Sequence, residues 1–399
     1  MISINKKHDC TGCYACYNAC PTQSVSMERD KEGFLYPEVD LDTCIDCDLC
    51  KQVCSLLHLK YVNNNPVAYA CHNTDEKIRL ESSSGGIFTL IAERIINNNG
   101  VVFGAVFDDD FNVFHSCVTE KDKLWAFRGS KYVQSKIGLT YSQAKEFLQQ
   151  GRQVLFSGTP CQIGGLKSYM GRDYDNLFCV DIVCHGVPSP KVWQKYVSYR
   201  EQCARSSARR IAFRRKDEGW KRYSVSFLFK NDTEYRQTFH KDLYMRAFLK
   251  NVCLRPSCYV CRFKSLHRQS DITLADFWGI QMILPEMDDD KGTSLVFVNS
   301  DKGRLMLEQI RRKMVCKKVD INEAVFYNLA AVKSVPYNPK REKFFAELDE
   351  LPFDELVRKY CADSLGARLK GKVKSGVVLM LRKMGMLDMV KRLASKVRV

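Results

Sequence analysis

Eight cysteines in the first 54 residues fall into two runs of one pattern, and no other feature of the chain constrains its fold so tightly. Cys10, Cys13, Cys16 and Cys20 follow C-x2-C-x2-C-x3-C with Pro21 next, and Cys44, Cys47, Cys50 and Cys54 repeat it with Ser55 in the proline position. Three cysteines at two-residue gaps wrap a tight loop around one face of a cubane, and the fourth, carried on by a short helix, reaches the other cluster. Crossed ligation of this kind assigns Cys10, Cys13, Cys16 and Cys54 to one [4Fe-4S] centre, and Cys44, Cys47, Cys50 and Cys20 to the other. Zinc would use C-x2-C pairs and leave a cysteine over in each run, and a disulfide knot would need an oxidising compartment. Between the runs, Gly33-Phe34-Leu35-Tyr36-Pro37 reads as a small hairpin shielding the clusters. Residues 1–62 are thus expected to form a bacterial ferredoxin-like domain.

The 399 residues suffice for two or three domains, and 45% apolar with 27% charged residues excludes wholesale disorder. No apolar run approaches the ~20 residues that span a bilayer. The N-terminus lacks a hydrophobic signal core, so a cytoplasmic location is expected. The formal charge of +16 is uneven: residues 365–399 hold ten Lys/Arg against Asp388 alone. Basicity belongs mainly to that tail and lacks the interleaved aromatics of a nucleic-acid surface, so no nucleic-acid partner is expected.

Asn63-Asn64-Asn65-Pro66 has linker composition. Beyond it, strands at Val67–Cys71, Val101–Phe107, Val154–Ser157 and Phe178–Val183 alternate with helices at Gly85–Asn97, Tyr141–Gln149 and Pro190–Arg200. That alternation predicts an α/β core with a largely parallel sheet, within an α+β/α/β chain overall. Arg209–Arg214 and Tyr223–Phe229 read as antiparallel strands, Asp271–Leu274 and Leu295–Asn299 as further strands, and Gly303–Lys313 as a helix. Residues 322–360 read as helical and charged.

Loops at strand ends draw the functional reading. Ser82-Ser83-Ser84-Gly85-Gly86 opens a helix, as a phosphate site or a plain N-cap does. Arg128–Ser135 combines cations, hydroxyls and an aromatic, which suits an anionic aromatic cofactor or a solvated loop. Gly158-Thr159-Pro160-Cys161-Gln162 places a cysteine where a strand leaves the sheet, the usual ligand edge of open α/β folds. Cys258-x2-Cys261 fits zinc, a redox dithiol or accident. With Cys161 and Cys184 it makes a third four-thiolate site possible, and Cys179 and Cys253 are rival ligands.

Five segments in fixed order resemble a known family. They are Gly158–Gln162, Cys184-His185-Gly186-Val187-Pro188-Ser189, Ser257-Cys258-Tyr259-Val260-Cys261, Asp271–Gly279 and Lys291-Gly292-Thr293-Ser294. The chain is similar over about residues 1–300 to the β-subunit group of coenzyme F420-reducing hydrogenases and dehydrogenases. Members are often fused to a two-cluster ferredoxin, and hydroxymethyl-chlorophyll reductases share the core. The resemblance implies a mixed α/β flavin-binding core over 66–360 that holds FAD and a third [4Fe-4S] cluster on Cys161, Cys184, Cys258 and Cys261. It implies flavin contacts from Ser83, Ser84, Gly85, Gly86, Lys131, Tyr132, Gln134 and Ser135, and from Gly158, Thr159 and Pro160. Lys131 would stabilise negative charge on the reduced ring. His185 and Asp276 are candidates for proton handling, and equally for structure.

The implied activity is that of a ferredoxin-linked flavoprotein oxidoreductase, with ferredoxin or another reductase as redox partner. Its organic substrate is left open. Family members of this fused, tail-bearing type also occur in bacteria that lack coenzyme F420, alongside polysaccharide biosynthesis. The alternatives are a non-catalytic electron relay and a binding module for polysaccharide-assembly proteins.

In the tail, Val373, Val377, Met380, Leu381, Met384, Leu387 and Val390 form an apolar stripe flanked by Lys and Arg, the pattern of a helical tail. Such a helix either lies on anionic lipid, peripheral to the inner membrane face, or docks on the protein body. Full-length protein is expected to float with anionic liposomes and a 1–364 truncation to stay behind. Equal flotation of the two would refute surface binding.

Overall fold

The computed structural model describes residues 1–362. The helical tail expected over 365–399, with its membrane contact, lies outside the described residues.

The N-terminal unit is built on an antiparallel hairpin, β1 (Val25–Arg29) and β2 (Leu35–Val39), which is the hairpin the sequence placed between the cysteine runs. Each run feeds a short helix, Ala15–Ala19 or Leu49–Gln52, entered through a left-handed residue, Tyr14 (φ 66°) or Asp48 (φ 58°). The two halves of the repeat thus turn in the same way.

The core strands are β3 (Val67–Asn73), β4 (Val101–Phe107), β5 (Val113–Val118), β6 (Val154–Gly158), β7 (Leu177–Ile182), β8 (Ala208–Arg215), β9 (Ser224–Phe229), β10 (Glu234–Thr238), β11 (Ile272–Asp276), β12 (Ser294–Val298) and β13 (Met314–Val319). Eight of them form one sheet in the order β13-β3-β12-β11-β7-β6-β4-β5. Only β11/β7, β7/β6 and β6/β4 run parallel, and the remaining neighbours are antiparallel. The largely parallel sheet expected from strand–helix alternation is therefore corrected to a mixed one. Alternation reveals elements but not partners, and two flanking strands were missed. β5 follows β4 through a tight loop in which Asp108 accepts from the amides of Asp110 (3.0 Å) and Asn112 (2.7 Å). β13 is an edge strand with charged outward residues, a pattern that hides a strand but protects its edge.

The parallel centre is apolar on both faces: Val101, Val102, Phe103, Val154, Leu155 and Phe156 are all fully buried. Helices Pro160–Met170 and Pro190–Ala204 start where the sequence dictates. Thr159 and Gln162 form a capping box ahead of Pro160, and the Ser189 hydroxyl accepts from the Lys191 and Val192 amides. A second sheet, β10-β9-β8, is antiparallel as expected for its first two strands. It packs Phe213 and Phe227 against Trp193, Tyr196, Tyr244 and Phe353.

The cluster unit is fixed to the core along one seam. Arg341 forks onto Glu32 (2.9 and 2.5 Å), and Gly165 approaches so closely that a Cβ there would lie 2.9 Å from Cys13 Sγ. Even the linker-like Asn64 is pinned, its Nδ2 donating to the carbonyls of Arg268 (3.0 Å) and Asn299 (3.1 Å). Arg341→Ala would strand a partly buried Glu32 carboxylate. It is expected to lower unfolding free energy by about 3 kcal/mol in denaturant titration, and an unchanged midpoint would contradict a stabilising seam.

Candidate redox site

Cys10, Cys13, Cys16 and Cys54 line one void beneath the hairpin, closed by Pro37 and Met27. This is the set that crossed ligation would group, with Cys54 coming from the distal run. Burial, reinforced by repulsion from Cys10 and Cys54, pushes the Cys13 thiol up to about 11, and burial raises Cys16 well above the ordinary thiol range. Buried thiols such as Cys13 and Cys16 become thiolates only when a cationic centre repays their desolvation, which an iron–sulfur cluster does. Of the second set, Cys20 and Cys50 pack in one small apolar cluster with Ile2 and Val25. The Ile2 amide donates to Cys50 Sγ at 3.1 Å. Cys44 and Cys47 lie on the irregular segment leading into helix Leu49–Gln52, and Cys47 is exposed.

Cys161, Cys184, Cys258 and Cys261 come from separate places in the chain and line a single pocket. Burial, then repulsion from Cys261, raises Cys161 well above the ordinary thiol range, and burial lifts Cys258 to about 12. The rivals lie elsewhere: Cys179 in the packing of β7 and Cys253 in the aromatic core. Among the described residues no three His, Cys, Asp or Glu are close enough to share a single metal ion. A cubane spreads its thiolates over a wider frame than one ion does.

A cavity of about 330 Å³ opens at the ends of the central strands. Ser83, Ser84, Gly86, Lys131, Tyr132, Ser135, Gly158, Thr159 and Asp276 all line it. Three residues expected there do not. Gly85 is turned into the sheet: its amide donates to Ser294 Oγ (2.9 Å), and a Cβ would collide with the Cys71 carbonyl oxygen. Its glycine serves close packing, not an open anion cradle. Gln134 faces the cluster unit, with its Nε2 donating to the Thr11 carbonyl (3.3 Å). Pro160 lines the four-cysteine pocket.

His185 also lines the four-cysteine pocket, with Nε2 bonded to Asn251 Oδ1 at 2.7 Å, so it does not share a cavity with Lys131 and Asp276. Asp276 is gripped bidentately by the buried Arg214 (2.6 and 3.1 Å) and accepts from Trp220 Nε1 (3.1 Å). A carboxylate held by a guanidinium and an indole suits charge anchoring better than proton transfer.

Several residues of this site gave no sequence signal. His115 is buried in the cavity wall, stacked on Phe156. Its Nε2 faces the Ser157 carbonyl (2.9 Å), so Nε2 carries the proton and Nδ1 accepts from Ser135 Oγ. Burial holds it neutral, down to about 4. Lys216 Nζ donates to the carbonyls of Arg79 (2.8 Å), Ser84 (2.7 Å) and Lys291 (2.8 Å), fastening the serine loop. Arg214 contacts the Tyr132 hydroxyl as well as Asp276. These polar residues interrupt apolar strand and loop patterns, and only tertiary placement reveals them.

A duplicated cluster motif docked beside a second convergence of four cysteines defines an iron–sulfur redox protein. Residues 151–324 match the family model for the C-terminal part of the coenzyme F420 hydrogenase/dehydrogenase beta subunit, and residues 9–56 match the "4Fe-4S dicluster domain". Over residues 151–324 the chain is therefore similar to the former family, and its N-terminus carries a ferredoxin-type domain. Among solved structures it is similar to a chain of the F420-reducing [NiFe] hydrogenase complex from Methanosarcina barkeri, studied as a xenon derivative. Identity there is 16%, coverage is 70% of this chain and 98% of that chain, and the TM-score is 0.45. No curated protein matches the chain.

Desolvation pulls the Lys131 ammonium down from 10.5 to about 8. Between those pH values the unfolded chain binds more protons at this position, so stability attributable to it rises with pH from about 8 upward. Lys131→Met is expected to stabilise the cofactor-free chain at pH 7 and to lose that advantage towards pH 10. A stability difference that stays constant across this range would show Lys131 to be fully solvated.

Proposed function

We propose that the chain is a ferredoxin-linked iron–sulfur flavoprotein oxidoreductase. Three [4Fe-4S] clusters would sit at the cysteine sets described, and FAD in the cavity at the strand ends. The observation that carries this reading is continuity. Thr11 lines both the void of Cys10, Cys13, Cys16 and Cys54 and the pocket of Cys161, Cys184, Cys258 and Cys261. Val187 lines both that pocket and the cavity. Three sites in contact through single residues form a row, and the row ends where an organic molecule fits.

Bound groups of these kinds supply one-electron transfer at the cubanes and exchange between one- and two-electron chemistry at the flavin. The chain's own residues supply the rest. Lys131 places positive charge at the cavity, and Ser83 and Ser130 offer paired hydroxyls 2.7 Å apart for polar contacts. Asp276, held by Arg214, and His115, stacked on Phe156, line other parts of the cavity. The units would be residues 1–62 and 66–360, in the cytoplasm, with ferredoxin or another reductase as partner. The organic substrate would be coenzyme F420 or a compound of a polysaccharide pathway.

Protein purified without oxygen is expected to contain about twelve irons, four per cluster, and one FAD per chain. About eight irons without flavin would leave only the ferredoxin-type domain loaded and favour the non-catalytic relay.

A further inference from the structure

The cluster sites differ sharply in the charge around them. Glu38, Asp40, Asp42, Asp46 and Asp48 interleave with Cys44 and Cys47, and residues 38–48 contain no Lys or Arg. Only the Met1 ammonium (3.1 Å to Asp46, 2.6 Å to Asp48) and Lys51 (2.9 Å to Asp48) offset them among the described residues. The core pocket is lined instead by two cations, Lys264 and Arg268. Lys264 Nζ donates to the carbonyls of Cys184 and Ala330 and forms no ion pair among the described residues. Arg268 is 4% exposed. Asp181 lies 3.6 Å from its Nη1, yet Nε and Nη1 have no hydrogen-bond acceptor among the described residues. Buried guanidinium donors left open at a thiol-lined pocket call for an acceptor there, and the sulfur atoms of a cluster are acceptors.

We propose that Lys264 and Arg268 raise the reduction potential of the core four-cysteine site above that of the outer site of Cys20, Cys44, Cys47 and Cys50. An electron added at the outer site then passes to the core site, next to the cavity. The inference rests on the three-cluster reading above. The physical reason is that reduction adds one negative charge, and a cation stabilises the reduced form most where water screens it least; Asp181 offsets part of the Arg268 charge, whereas Lys264 has no carboxylate partner among the described residues. The acidic segment acts oppositely on the outer site.

The test is a potentiometric titration of the anaerobically purified full chain, followed by electron paramagnetic resonance, with iron counted per chain. The core signal is the one that Cys258→Ser removes. It is expected to appear at higher potential than the outer signal, the one that Cys47→Ser removes. Lys264→Gln should lower its potential alone, while Lys264→Arg, which keeps the charge and guards against a merely misfolded variant, should leave it in place. A core signal at or below the outer one, or one unmoved in Lys264→Gln at full iron content, would overturn this proposal alone. About eight irons and no core signal would overturn it together with the three-cluster reading.

Discussion

The guanidinium of Arg255 has no exposure to solvent, and among the described residues no carboxylate pairs with it. Its donors go to the Cys10 carbonyl (2.8 Å), the Leu35 carbonyl (3.0 Å) and the Gln134 side-chain oxygen (3.0 Å), and Tyr36 and Phe34 present ring faces to it. Burying a cation this way is unfavourable unless every donor is satisfied. Satisfying them requires the cysteine loop, the hairpin and the core to meet at one point. Gly12 has φ 67°, and a Cβ there would lie 2.5 Å from Gln134 Nε2, so the seam has no room for a side chain at this point.

The cavity follows the same rule with different partners. Arg79 forks onto Asp289 (2.7 and 2.6 Å) and donates to the Gly292 carbonyl (2.8 Å), while Lys216 ties the 79–84 segment to Lys291. Gly292 adopts φ 103°, with its Cβ position 2.8 Å from the Ser84 carbonyl oxygen. The serine loop is thus held from behind by charged residues. Its shape does not depend on the helix start that made it conspicuous in the sequence.

The cysteine repeat was legible because cubane geometry dictates its spacing, whatever the rest of the chain does. The core thiol set was not legible from spacing, since Cys161, Cys184 and the Cys258–Cys261 pair come together only through the order of β6, β7 and β11; resemblance, and then the pocket, grouped them. Strand and helix positions were mostly readable from period and caps, but the direction of strand pairing was not. Gln134 and Gly85 were misplaced for a shared reason: each sits one step from true cavity residues, and a loop presents neighbours to opposite sides. Arg255, Arg214, Lys216 and His115 went unseen because hydropathy marks them as surface residues.

The mixed sheet explains why one short segment serves two sites. Only the central strands are parallel, so only there do several chain ends and their loops open on the same edge. At the end of β6, Gly158 and Thr159 line the cavity, and one residue further Pro160 and Cys161 line the thiol pocket. The capping box that starts helix Pro160–Met170 fixes that junction, and Gly165 on the same helix abuts Cys13 in the cluster unit. A single helix thereby touches all three members of the row. Displacing it would change every spacing at once, which is the rigidity that electron transfer over short, fixed distances requires.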